Sequence, residues 1–462
     1  MQTFGHRDLV LYFLLTTIII TYDGQFFQFL FFLVQNSPFL IVKFPYIYLT
    51  RRIVCAFPFQ SNFSQRATNS EYLVVQMLRY LYKILPMSST ARIFLDQRVF
   101  EILHRIRRIR EFNDGLGDIL FSRYSNVGEG QQDTEGLWIY SKSRADTKPH
   151  DILVLYVHGG AGFGRGTSHM YTEYLSIFTL NLLEQGFSNP GIYVPTFPDD
   201  KFDKYPHQLG TVLKAYEYLT SISNENCHLA VMGDSSGATL CLSLLLTLAE
   251  PSPMLVRTLL ASQKEKLKIE TTEQLAEYYQ NLKKPAVALL VSPITNLFTD
   301  DTGSLKSTTS KDDYLSVQVV RGWAQEYLQD SLYYEEYKDS ELAYFDPGQV
   351  QDKTWWKRAM PKYGMLISYG SEELLAPEIE TFISKLSDEE IGSKIRVDKQ
   401  DAQVHNWGLL AFYTERLIDH REVSLQIFSS VISRMLLWNT VSYFDSGAKH
   451  PTNIVTIDED YV

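Results

Sequence analysis

Residues 228–248 read HLAVMGDSSGATLCLSLLLTL. The run Leu229-Ala230-Val231-Met232 is short and apolar, which suits a buried strand, and the run after Gly237 is long enough for a helix. A serine between two glycines at such a junction sits on a tight, strained turn that pushes its hydroxyl outward. In the pattern G-x-S-x-G the central position is Ser235, flanked by Gly233 and Gly237. Asp234 precedes it and is expected to move no proton, whereas Ser236 is expected to supply a backbone N–H. One such motif is weak evidence, so the surrounding chain has to provide partners.

Upstream, ILVLYVHGGAGF (152–163) ends a strand in His158-Gly159-Gly160. Glycines let backbone N–H groups approach a ligand closely. Acyl transfer needs such donors, because negative charge develops on the carbonyl oxygen under attack. The expected donors are the N–H groups of Gly159, Gly160 and Ser236, with His158 structural. Downstream, GMLISYGSEELLAPEI (364–379) ends a strand and turns at once acidic. A carboxylate there can orient a histidine on the next loop and stabilise its imidazolium. Glu372 and Glu373 both qualify, and Glu372 is preferred. Thirty-three residues beyond Glu372, QVHNWG (403–408) presents His405. His420, in a charged helical stretch, and His450, in the acidic tail, are its rivals.

Around these motifs short β-rich runs alternate with helical ones. Strands are expected at 152–157, 191–195, 229–232, 286–291, 364–369 and 394–397. Helices are expected at about 170–186, 207–223, 236–249, 313–328, 373–387 and 419–438. Alternation of this kind implies a mostly parallel sheet flanked by helices, with reactive groups at the carboxyl ends of the strands. The order serine, acid, histidine is that of the α/β-hydrolase fold.

The front of the chain differs. Residues 1–110 hold 13 Lys/Arg and 5 Asp/Glu, a net of +8, which leaves −19 for the rest of a chain whose net charge is −11. An acidic body argues against nucleic acid as a partner. Three greasy stretches fill the first fifty residues: LVLYFLLTTIII (9–20), FFQFLFFLV (26–34) and PFLIVKFPYIYL (38–49). None alone reaches the roughly 20 apolar residues of a membrane span, so one short span plus an interfacial or re-entrant segment is expected. The other reading is a cleaved leader. RVFEILHRIRRIR (98–110) carries five arginines. It reads equally as an interfacial helix or as a solvated basic face, with His104 at the surface. The expected organisation is an anchor over 1–52, a basic helical linker or cap over 53–111, a catalytic domain over 112–440 with a charged, solvated insertion at 251–283, and an acidic, frayed tail over 441–462. The three cysteines, Cys55, Cys227 and Cys241, have no metal-binding spacing. No metal and no cofactor are expected.

HGG, GDSSG and the Ser–Glu–His order resemble the hormone-sensitive-lipase-like branch of the α/β-hydrolases, over about 150–438. YPHQL (205–209) and VSPITNL (291–297) belong to the same resemblance. More narrowly, DDYLS (312–316), Trp355-Trp356 and YGSEELL (369–375) look like the fungal steryl acetyl hydrolases, membrane-associated esterases that deacetylate sterols. The resemblance implies Ser235 as nucleophile, Glu372 as acid, His405 as base, and Gly159 and Gly160 framing the oxyanion hole. It departs at Ala161, where relatives have a third glycine, and in the use of Glu where many have Asp. The implied partners are a lipophilic ester and membrane lipid, and the expected location is a membrane, that of the endoplasmic reticulum. Two other functions fit the same motifs: a lipase or detoxifying esterase for other acyl esters, and a non-catalytic lipid-binding protein.

Overall fold

The computed structural model describes residues 6–54, 60–84, 96–110, 116–125, 134–145, 148–160, 163, 166–197, 204–297, 312–328, 341–387, 389–415, 417–437 and 455–456. Ala161, Gly162 and His450 lie outside the described residues, as does most of the tail.

The N-terminal part holds α1 (His6–Tyr22), α2 (Phe26–Pro38), α3 (Phe44–Tyr48), α4 (Asn62–Arg66), α5 (Asn69–Ile84) and α6 (Gln97–Arg110). The body then runs β1 (Ile119–Ser125), β2 (Glu135–Ser141), β3 (Ile152–Val157), α7 (Thr172–Glu184), β4 (Pro190–Pro195), α8 (His207–Ile222), β5 (His228–Asp234), α9 (Ser236–Ala249), α10 (Pro253–Leu267), α11 (Thr272–Gln280), β6 (Val287–Val291), α12 (Val317–Leu328), α13 (Lys353–Ala359), β7 (Met365–Gly370), α14 (Ala376–Leu386), β8 (Ile395–Gln400), α15 (Trp407–Thr414) and α16 (Ile418–Leu436). A two-residue strand, β9 (Val455–Thr456), pairs in parallel with β8 inside the tail expected to fray.

The strand order is β1-β2-β4-β3-β5-β6-β7-β8-β9. β2 runs antiparallel to both β1 and β4, and every other pairing is parallel. This is the α/β-hydrolase fold. β3, β4, β6 and β7 are buried along their whole length, which is why they read as mostly apolar runs. Along β3, Leu153, Leu155 and Val157 pack on one side of the sheet and Ile152, Val154 and Tyr156 on the other. Each such side chain contributes about 1.5–3 kcal/mol of hydrophobic stabilisation. The sequence reading missed β1 and β2. β1, ILFSRYS, is largely exposed and carries polar residues, as an edge strand does.

Two expectations need correction. The 251–283 insertion is helical but not merely solvated, because Leu255, Leu275 and Tyr279 are fully buried in the core beside α9. Its second helix opens with a reciprocal capping box between Thr271 and Gln274. The second and third greasy stretches, read as separate, join into one helix. α2 passes through a π-helical turn (Phe39–Lys43) into α3 and a second π-helical turn (Leu49–Val54). The stretch Phe29–Arg52, 24 residues, is long and apolar enough to cross a membrane. Pro38 sits at the end of α2 and Pro45 in the first turn of α3, both beside the π-turn, where the hydrogen-bond ladder is already reset.

Several arginines of α6 are engaged with the body, while Arg105 stays exposed beside Glu101. Arg107 is buried, pairing with Asp8 of α1 and bidentately with Glu173 of α7 at 2.8 and 2.9 Å. Arg421 of α16 joins Glu173 at 2.8 Å. Burial alone would raise the Glu173 carboxyl, but His104, Arg107 and Arg421 together hold it well below the usual range. Arg98 pairs with Asp23 and Asp96, and Arg108 donates to the carbonyls of Leu116 and Ile119. His104 is buried rather than at the surface, with Nε2 2.8 Å from the carbonyl oxygen of His169. The helix thus ties α1 to the body.

Candidate active site

At the end of β5 the chain reverses into α9 within one residue. Ser235 takes φ 53°, ψ −126°, a conformation that a residue with a side chain rarely adopts. Its N–H is held by the carbonyl of Val291 at 2.8 Å. Gly237 permits the turn: a Cβ there would lie 2.1 Å from the carbonyl oxygen of Val157. The hydroxyl of Ser235 lies 2.9 Å from Nε2 of His405, 170 residues on in the chain. Both are buried.

Behind His405 the two adjacent acids part company. Glu372, the expected acid, does not face the imidazole. Its Oε1 and Oε2 accept the backbone N–H groups of Asn62 and Phe63, each at 3.1 Å, at the start of α4. The carboxylate facing His405 belongs to Glu373, with Oε1 3.9 Å from Nδ1. Neither of those two atoms has a hydrogen-bond partner among the described residues. Glu373 is drawn inward because its other oxygen accepts the Ser292 hydroxyl at 2.6 Å and the Gly370 N–H at 3.1 Å. Glu372 is drawn outward because the first N–H groups of a helix need acceptors. The reading therefore has to be corrected by one residue.

Burial disfavours the charged form of His405, yet the Glu373 carboxylate outweighs it, helped by Asp313 and Asp234, and the net effect is upward. The Tyr314 ring lies edge-on to the imidazole at 5.5 Å. His420, the rival at the start of α16, is exposed, whereas Ser235 is buried.

The expected oxyanion donors also divide. The N–H of Gly159 is already committed, at 2.9 Å, to Oδ1 of Asp234. A Cβ on Gly159 would meet Asp234 Oδ2 at 2.5 Å, so this glycine is needed for close contact with the elbow rather than as a free donor. Gly160 remains beside Ser235, with its carbonyl accepting the Ser236 hydroxyl at 3.1 Å. Ser236 is the first residue of α9, where backbone N–H groups have no intrahelical acceptor. His158 is structural: its Nδ1 contacts the Gly159 carbonyl at 2.7 Å, its ring stacks on Tyr171, and burial lowers its pKa.

Asp234, assigned no proton, is a hub. Besides Gly159 it accepts the Tyr156 hydroxyl at 2.8 Å, the Tyr171 hydroxyl at 3.2 Å and the Asn406 amide at 2.7 Å. One buried carboxylate thus joins the glycine loop, the elbow and the histidine loop. Asn406 and Ser292 were quoted within motifs but given no part. Their signals are position: Asn406 follows His405, and Ser292 follows β6 at φ 47°. The Ser292 hydroxyl both donates to Glu373 and accepts the Asn406 N–H at 3.0 Å. Among the described residues no group of His, Cys, Asp or Glu is arranged to hold a metal ion.

A sequence profile of the steryl acetyl hydrolase family matches residues 71–259 and 274–409. The chain belongs to that family. Solved structures agree on the fold. An esterase of the bacterial hormone-sensitive lipase family is 17% identical, with a TM-score of 0.52 over 79% of this chain and 99% of that one. A variant of the esterase rPPE is 13% identical, with a TM-score of 0.52 over 80% of this chain and 98% of that one. Comparison with curated proteins returns no match. By family the chain is thus a carboxylesterase-type hydrolase.

Proposed function

We propose that this chain is a membrane-associated serine ester hydrolase that removes short acyl groups, acetyl foremost, from sterols or similarly lipophilic alcohols. The observation that carries the reading is the 2.9 Å approach of His405 Nε2 to a serine hydroxyl on a strained elbow. His405 takes the Ser235 proton as the oxygen attacks the ester carbonyl. The N–H groups of Gly160 and Ser236 stabilise the oxyanion, and Glu373 stabilises the imidazolium. The ester C–O bond breaks, and His405 returns the proton to the departing alcohol. Water then attacks the acyl-enzyme, gives a proton to His405, and releases the acid as Ser235 is restored.

The membrane part rests on exposed apolar residues. Phe27, Phe31, Val34, Ile41, Val42 and Tyr46 are 63–79% exposed along α2, the π-turn and α3. Contiguous apolar surface of this kind calls for lipid. A lipophilic ester concentrates in the same phase. The endoplasmic reticulum remains the expected membrane.

The test is turnover of one sterol carrying acetyl or a long acyl chain, by the full chain in detergent or vesicles. The acetate is expected to be faster by about tenfold or more. A preference for the long chain turns the reading to a lipase, and ester binding with no acyl-enzyme turns it to a lipid-binding protein. The pH profile gives a second check. His405 must be neutral to accept the proton, and its pKa lies above its ordinary 6.5, so activity is present at higher pH and is lost as pH falls through the raised value. The acid limb of kcat/KM is expected with its midpoint above 6.5; a midpoint below that value contradicts the Glu373–His405 pairing.

A further inference from the structure

Asp313 is fully buried and comes from none of the motifs around Ser235, the acid turn or His405. It follows β6 in the chain and lies just before α12. Its Oδ2 accepts the N–H of Leu374 at 2.6 Å, one residue past Glu373. Its Oδ1 accepts the N–H of His405 at 3.4 Å and, within its own turn, that of Leu315 at 3.5 Å. One carboxylate therefore bridges the turn that carries Glu373 and the loop that carries His405.

The bridge matters because Glu373 Oε1 and His405 Nδ1 stand 3.9 Å apart, with no other partner for either among the described residues. A pair at this separation changes strength steeply with small loop shifts, so whatever fixes the two loops fixes the pair. The sheet registers β7 against β8 beneath the loops, and Glu372 N–H donates to the Gln403 carbonyl at 2.8 Å. Asp313 adds the contact at the histidine itself.

We propose that Asp313 is a positioning residue of this site: it clamps the Glu373 turn to the His405 loop, and its negative charge adds to that of Glu373 in stabilising the imidazolium. The proposal rests on the hydrolase reading for its consequence in turnover, but not for its effect on His405. Burial pushes the Asp313 carboxyl up to about 6, with His405 pulling it down and Glu373 pushing it further up. The groups around it are His405, Glu373 and Asp234, together with Tyr314 on its own turn and Tyr82 of α5, whose ring lies 5.8 Å from that of Tyr314.

The decisive measurement is the His405 titration, followed by NMR of 13C-labelled histidine in the full chain and assigned by loss of one signal in His405→Asn. It needs no turnover. In Asp313→Asn, which keeps the shape but loses the charge and one of the two accepting oxygens, the His405 midpoint is expected to move to lower pH. Acylation of Ser235 by a fluorophosphonate is expected to slow roughly 10-fold, the scale on which a supporting hydrogen bond acts. Where the amide variant does not fold, Asp313→Ser carries the same expectation. A His405 midpoint unmoved from the parent overturns the proposal, whatever happens to the rate, because a residue that only held the chain together would slow acylation without moving the titration. Failure of the parent itself to form an adduct counts against the hydrolase reading and leaves the titration to judge Asp313.

Discussion

Ser235→Ala is expected to lower ester turnover by about 10⁵- to 10⁶-fold and to remove the single fluorophosphonate adduct of the parent in an intact-mass measurement. The loss comes from chemistry rather than folding. Alanine keeps a Cβ at φ 53°, so the elbow's strain is unchanged, and the structural bonds of Ser235, through its N–H to Val291 and its carbonyl to Thr239, belong to the backbone. The melting temperature is therefore expected to stay close to the parent's. Ser235→Gly sharpens the point. Glycine relieves a backbone conformation that costs about 1–3 kcal/mol, so this variant is expected to be equally inactive and more stable. An active alanine variant would remove Ser235 from the mechanism. An inactive but badly destabilised one would show that the elbow serves the fold.

The parts legible in sequence are those decided locally. Buried strands write themselves as apolar runs, and β3 through β8 were found to within a few residues. Ser235 and His405 were legible because an elbow and a strand-end histidine leave short, dense signatures. The choice between Glu372 and Glu373 was not, because it depends on what waits for each carboxylate. Glu372 meets α4, 310 residues earlier in the chain, and Glu373 meets Ser292, 81 residues earlier. The same holds for Gly159, whose N–H was claimed by a carboxylate 75 residues away. Arg107 read as one basic residue among five, and only the fold reveals Asp8 and Glu173 on either side of it.

These distant partners share a direction. The segment that follows the apolar helix is packed into the catalytic loops. Arg66 donates to the Ala402 carbonyl at 3.2 Å and to Gln403 at 2.8 Å, and the Ser61 and Ser64 hydroxyls donate to Asp312, beside Asp313. Further along, α5 has one tyrosine on each partner. Tyr80 stacks on Phe39 and donates to Asn36 at 2.7 Å, while Tyr82 meets Tyr314, whose ring lies against His405. α5 thus touches the apolar helix through Tyr80 and the site through Tyr82 and Tyr314. The N-terminal helices and the site are better regarded as one assembly than as separate parts, which also explains why a carboxylate of the acid turn is given over to α4.

That division makes the acid pair the second large test. Glu373→Gln is expected to lower kcat by roughly 10³- to 10⁴-fold, the scale seen when an orienting carboxylate becomes an amide. The amide cannot supply the charge that stabilises the imidazolium, and its NH₂ can face the Ser292 hydroxyl and the Gly370 N–H only by losing the acceptor they now share. Glu372→Gln keeps an acceptor for Asn62 and Phe63 and touches neither His405 nor Ser235. It is expected to stay within about fivefold of the parent in kcat, and Glu372→Ala to cost about 1–3 kcal/mol of stability through the stranded N–H groups of α4. The comparison is internally controlled: the two residues are adjacent, equal in charge and size, and both buried. A large kcat loss at Glu372 with little at Glu373 would mean that the turn rearranges on binding substrate, bringing the first acid to the histidine. Equal losses at both would make the pair a single electrostatic unit. A loss confined to Glu373 leaves one acid for chemistry and one for the N-terminal arm.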